Sequence, residues 1–124
     1  MKKIISLILV LTIMLSLSAC GSLPDGFTKN TYNVTKDAVE VLNSYLDGKS
    51  DANATITELD TLAKSLEAEK ETISDAAEKS NTTNMAMKLR TIIYLVNRAG
   101  DNPSDMDLMS IRQTVSGLEQ QLKG

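Results

Sequence analysis

Apolar residues along this chain recur at three- and four-residue spacing almost everywhere after residue 30, the period of a helix with one buried face. Val34, Ala38, Val41, Leu42 and Tyr45 fall on one face and predict a first helix over about Thr31–Leu46. Asp47-Gly48 ends it, with glycine able to take the left-handed position after a helix. Ala52, Ile56, Leu59, Ala63, Leu66, Lys70, Ile73 and Ala77 form a heptad-like seam interrupted only by Lys70. The seam predicts a second helix, the longest, from Ala52 to Lys79, capped by Ser50 or Asp51. On it Lys70 lays its stem along the seam and sends its amine to solvent. Residues 80–84 are polar and read as a loop or the frayed start of a third helix, which then runs from about Thr83 to Ala99.

Within that third helix, residues 91–96 are apolar nearly all round, which marks a helix that is buried or pairs with something: the central helix of the bundle or, as the alternative, one with an exposed partner surface on one side. Gly100-Asp101-Asn102-Pro103 is a stop and restart: Gly100 closes the third helix, Asn102 caps a fourth and Pro103 takes its first position. Asp105 then lies in the first turn, near the positive end of the helix dipole. Leu108, Ile111, Val115, Leu118 and Leu122 make a second clean seam to about residue 122. The predicted fold is therefore all-α, a small up-and-down four-helix bundle over residues 31–124. A three-helix core with one peripheral helix is the alternative.

The start of the chain follows a different pattern. Lys2 and Lys3 precede a mostly apolar stretch from Ile4 to Leu17, and Leu17-Ser18-Ala19 leads to Cys20, the only cysteine. A positive start, an apolar middle and small residues at a cut describe a secretory signal peptide. The stretch falls short of the roughly 20 residues that a membrane-spanning helix needs. With Cys20 at the cut, residues 1–21 resemble the lipobox signal of bacterial lipoproteins. That resemblance implies removal of residues 1–19 and lipid on Cys20, giving an extracytoplasmic domain anchored to the membrane. Two or more acyl chains hold stably, since each buried methylene contributes about 0.8 kcal/mol. Gly21 stands where an aspartate signals inner-membrane retention in Gram-negative lipoproteins, so inner membrane, outer membrane and Gram-positive surface all stay open. Residues 20–30, with Pro24 and Asp25-Gly26, read as a short tether.

Once lipid occupies Cys20, the domain has no disulfide available and must hold together by packing. Losing Lys2 and Lys3 leaves 11 Lys and Arg against 16 Asp and Glu, a net charge of −5, which argues against nucleic acid or anionic lipid headgroups as partners, since both would be repelled. Charge is also segregated. Residues 51–79 carry eight acids and three lysines, whereas residues 80–100 carry Lys88, Arg90 and Arg98 with no acid. An antiparallel pair of the second and third helices sets these side by side; exposed pairs of this kind stabilise by about 0–1 kcal/mol each and help select neighbours. Asp60, Glu67, Glu71 and Glu78 read as one acidic stripe, a solvated face or a docking stripe for a basic partner.

Candidate chemistry is sparse. The chain has no histidine, which with Cys20 lipidated removes zinc and copper sites and Ser-His-Asp or Cys-His catalysis. Asp101, Asp105 and Asp107 have the oxygen density of a calcium loop, yet Met106 stands at its glycine position and Arg112 at its closing glutamate. The six glycines are scattered, so no phosphate-binding loop is expected, and the few aromatics, Phe27, Tyr32, Tyr45 and Tyr94, disfavour a sugar site. Three Asn-x-Thr matches, at Asn33, Asn53 and Asn81, are chance in a bacterial precursor. No catalytic residue, metal ligand or cofactor-binding residue is nominated; the one modified residue expected is Cys20. The functional expectation is a membrane-anchored helical interaction module for another envelope protein. The alternative is a small-ligand or peptide binder serving transport or sensing. Self-association is compatible with the seams.

Overall fold

A computed structural model describes residues 23–124; the signal-peptide and lipobox expectations, Cys20 included, lie outside them. Four helices follow in order: α1 (Lys29–Leu46), α2 (Ala52–Glu69), α3 (Ala76–Ala99) and α4 (Asp105–Lys123). Short loops join consecutive helices, so each runs antiparallel to its neighbours. α1 packs on α2 and α4, α2 packs most extensively on α3, and α3 meets α4 along a thinner contact. The result is an up-and-down four-helix bundle.

Side chains cap all four helix starts, satisfying amides that have no partner within the helix. Thr28 Oγ1 accepts from Thr31 N at 3.0 Å, and Asp51 Oδ1 accepts from Ala54 N at 2.7 Å. Asp75 Oδ1 accepts from Glu78 N at 2.9 Å, and Ser104 forms a capping box with Asp107. Gly48 and Gly100, at φ 74° and 65°, turn the chain after α1 and α3 in the backbone region open mainly to glycine.

The core is a continuous apolar cluster in which Leu42, Leu59, Leu66, Leu89 and Val96 are fully buried and Ile92, Ile111 and Leu118 nearly so. Ala38, Ala63 and Ala86 are buried among them, small enough to let helices approach closely. Four threonines are also fully buried: Thr31, Thr35, Thr55 and Thr82. Each hydroxyl is satisfied. Thr35 donates to Thr31 O at 2.7 Å, Thr55 donates to Asp51 O at 2.8 Å, and Thr31 and Thr82 share a hydrogen bond of 2.8 Å between α1 and α3.

Several expectations are corrected. First, α2 ends at Glu69 instead of Lys79, and α3, at 24 residues, is the longest helix. The seam beyond Leu66 is fortuitous: Lys70 is the C-cap of α2, Ile73 is half-buried in the connecting loop, and Ala77 is exposed. β-branched Thr72 and Ile73 weaken the helix there. Thr72 turns back on Glu69 O through both its amide (2.9 Å) and its hydroxyl (2.8 Å), and Asp75 nucleates the next start. Lys70 therefore does not ride a helical seam.

Second, residues 80–84 are interior to α3, because their polar side chains find partners: Thr82 in the core and Asn81 on Gly26 O. Third, Ser104 caps α4, not Asn102, so Pro103 precedes the helix. Fourth, residues 91–96 are not buried all round. Ile92 and Val96 are buried and Ile93 and Leu95 half-buried, but Tyr94 is 62% exposed. α1 also starts two residues earlier than expected and buries Val39 where Val41 stays half-buried.

Candidate functional site

α3 has two lateral faces, and they differ in chemistry. On the α2 side, the Arg90 guanidinium donates to both carboxylate oxygens of Glu67, at 2.9 and 3.1 Å, and to Asp60. Lys64 adds a contact of 2.9 Å to Asp60. These bonds hold the Asp60 and Glu67 carboxyls below their ordinary range, and the two carboxylates hold Arg90 above its own. The opposite-charge pairing expected between the second and third helices is thus present. The acidic stripe is not: Asp60 and Glu67 are occupied by Arg90, Glu71 lies in the loop and Glu78 belongs to α3.

On the α4 side the helices leave an open groove of about 560 Å³. Its floor is core: Met85, Ile92 and Leu118 are at most 3% exposed. Small residues of both helices line it, Thr91 from α3 and Thr114 and Gly117 from α4. Gly117 opens the α4 side: a Cβ built there meets nothing within 4 Å. Thr91 and Thr114 donate their hydroxyls to carbonyls of their own helices, Met87 O at 3.1 Å and Ser110 O at 2.9 Å, and do not bridge the gap. Phe27 lines the groove beside Asn81 and Gln121, while Met87, 64% exposed, stands at its edge.

The groove's electrostatics run against those of the whole chain. Among its lining residues there is no acid, and Lys88 is the single charged one. Lys88 has no ion-pair partner among the described residues, although Arg90 nearby has two. Gln121 Oε1 is buried without a hydrogen-bond donor among the described residues. A buried acceptor in this condition is a place where a ligand donor gains a bond at little extra desolvation.

The acid-rich segment after α3 is structural. Asp101 Oδ1 accepts from Ala52 N at 2.8 Å, tying the 100–104 loop to the start of α2. Asp107 accepts from Ser104 and from Arg98, the latter at 3.1 Å, and those two donors hold its carboxyl low. Tyr45 donates its hydroxyl to Gly100 O at 2.6 Å, and burial, with Asp101 next, pushes its pKa up. Among the described residues no group of three His, Cys, Asp or Glu is placed to hold a metal ion, and no helix is long and apolar enough to cross a membrane.

Sequence reasoning missed the groove. Gly117 in the middle of the fourth helix was its only signal. No protein-family model matches the chain, and no curated protein or solved structure matches it.

Proposed function

We propose that the chain is a lipid-anchored envelope lipoprotein that works as a helical interaction module, with the α3–α4 groove as its contact surface. The observation that carries this reading is the groove itself: a core-lined floor left open to solvent, free of acids in an acidic chain, with unpaired Lys88 among its lining residues. Charge complementarity selects the occupant, an apolar segment of a partner protein that carries a carboxylate for Lys88. Segments of this kind bind helical grooves through a few anchoring side chains at helical spacing. The lipid on Cys20 would hold the module at the membrane where such a partner resides. No catalytic role, metal or cofactor is part of the proposal.

The test is in-cell crosslinking and affinity purification of the precursor, its Cys20→Ala form, and Gly117→Leu and Lys88→Glu forms. The reading expects one envelope protein captured with the native chain and lost in each groove variant while helicity by circular dichroism is unchanged. Capture that survives both groove variants would place the contact elsewhere. The alternative, a small-ligand or peptide binder, draws support from the buried acceptor Gln121 Oε1. It expects loss of a copurifying small molecule, not of a protein, in Gly117→Leu.

A further inference from the structure

The link between Cys20 and the bundle is much shorter than its glycines and proline suggest. Phe27 N donates to Pro24 O at 3.1 Å, and Asn81 Nδ2 donates to Gly26 O at 2.9 Å. Gly26 sits at φ 76°, a conformation open mainly to glycine, with Asn81 pressed against it. Thr28 donates to Glu69 Oε1 and Asn30 donates to Glu69 Oε2 at 2.7 Å, while Phe27 packs on the core. Residues 24–28 are therefore a clasp fastened to the end of α2 and the start of α3.

Only Gly21, Ser22 and Leu23 separate Cys20 from this clasp. At no more than about 3.3–3.6 Å per residue, four steps from Cys20 to Pro24 reach on the order of 14 Å. We infer that the clasped end of the bundle is a membrane-facing surface. Leu23, the 70–75 loop and the end of α4 then lie at the lipid headgroups, with the 47–51 and 100–104 loops directed away from the bilayer. This inference rests on the lipoprotein reading of Cys20.

The distribution of charge and exposure agrees with it. Leu23 is 40% exposed beside the clasp. Four lysines ring the clasped end, Lys29, Lys70, Lys79 and Lys123, interleaved with five acids, Asp25, Glu69, Glu71, Asp75 and Glu78, so this end is close to charge balance. Lysines at this depth reach lipid phosphates with their amines and lay their stems on the apolar boundary. The opposite end carries Asp47, Asp51, Asp101, Asp105 and Asp107, answered by Lys49 and Arg98, and is the end an anionic surface repels. A 24-residue helix is about 36 Å long, so the two ends sit at distinguishable heights. The α3–α4 groove reaches the clasped end at Phe27 and Gln121, so the partner segment it receives is a juxtamembrane one.

Because Cys20 is the only cysteine, an added thiol on the lipidated chain is a unique labelling site. Full-length precursor carrying Glu71→Cys or Lys49→Cys, both surface positions, would be processed in cells. It would then be labelled with a fluorophore and reconstituted into vesicles bearing a nitroxide quencher on the headgroups. The expected result is several-fold stronger quenching at position 71 than at position 49. That contrast should be lost when ten Gly and Ser residues are inserted after Ser22. Equal quenching at the two positions in a chain whose mass shows lipid on Cys20 overturns the orientation alone. An unmodified Cys20 overturns the anchor and the orientation with it.

Discussion

The two interfaces of α3 are built from the same helix and come out opposite. Towards α2 its side chains are matched: Leu89 enters the core, and Arg90 is held by two carboxylates from the facing helix. Towards α4 the match is confined to the far end, where Arg98 meets Asp107; along the groove Lys88 has no facing acid, and α4 offers Thr114, Gly117 and Gln121 where larger or charged side chains would close the gap. The difference lies in the partner helix. α2 carries acids at the spacing that meets Arg90; α4 meets α3 with one acid, Asp107 on Arg98 at its first turn, and lines the groove with none. A groove of this kind is specified by what the neighbouring helix lacks.

Several substitutions break or sharpen that contrast. The largest effect is expected from Leu89→Ala, which empties a fully buried site and should cost about 2–5 kcal/mol in urea unfolding. Met87→Ala, two residues away at the groove edge, should change stability by no more than about 0.5 kcal/mol, since this side chain is 64% exposed. Comparable losses for the two would mean that the groove is packed shut in solution.

Gly117→Ala should stabilise the protein by about 0.5–1 kcal/mol, because glycine is a poor helix former and the new methyl group meets nothing. A destabilised variant would show that α4 lies closer to α3 than described.

A smaller effect, readable mainly through pH, is expected from Arg90→Ala. Asp60 and Glu67 have folded pKa values below their unfolded ones, chiefly through hydrogen bonds from Arg90. Their contribution is complete above the ordinary carboxylate range near pH 4 and fades as pH falls through the lowered folded values. The urea midpoints of native and Arg90→Ala protein should therefore differ most at neutral pH and converge towards pH 3. A constant difference across that range would show that Arg90 acts through packing of its stem. Lys88→Ala, with no partner to lose, should leave the midpoint unchanged at every pH.

Much of the architecture was legible because helix period and helix punctuation are local signals. Gly48, Asp51 and Gly100 mark ends and starts that the structure uses as expected. The break at 70–75 was hidden because apolar spacing happens to continue through Ile73 and Ala77, while the deciding signal, Asp75 three residues before Glu78, reads as ordinary surface charge. The buried threonines were missed for a related reason. A threonine counts as polar in a pattern, yet Thr35 and Thr55 return their hydroxyls to a carbonyl one turn back and become apolar in effect. The run 91–96 looked buried all round because a run of apolar residues does not say which side has a neighbour; Tyr94 falls where none is. The groove was the least legible feature, since it depends on the pairing of α3 with α4 and on small residues in both.

The most direct test of the account is site-specific photo-crosslinking in cells, with a benzophenone amino acid placed either at position 91, inside the groove, or at position 116, on the exposed surface of α4 outside it. The account predicts one discrete adduct from position 91, none from position 116, and loss of the adduct when Gly117→Leu is added. Equal labelling from the two positions, or an adduct indifferent to Gly117→Leu, would contradict the assignment of the α3–α4 groove as the contact surface.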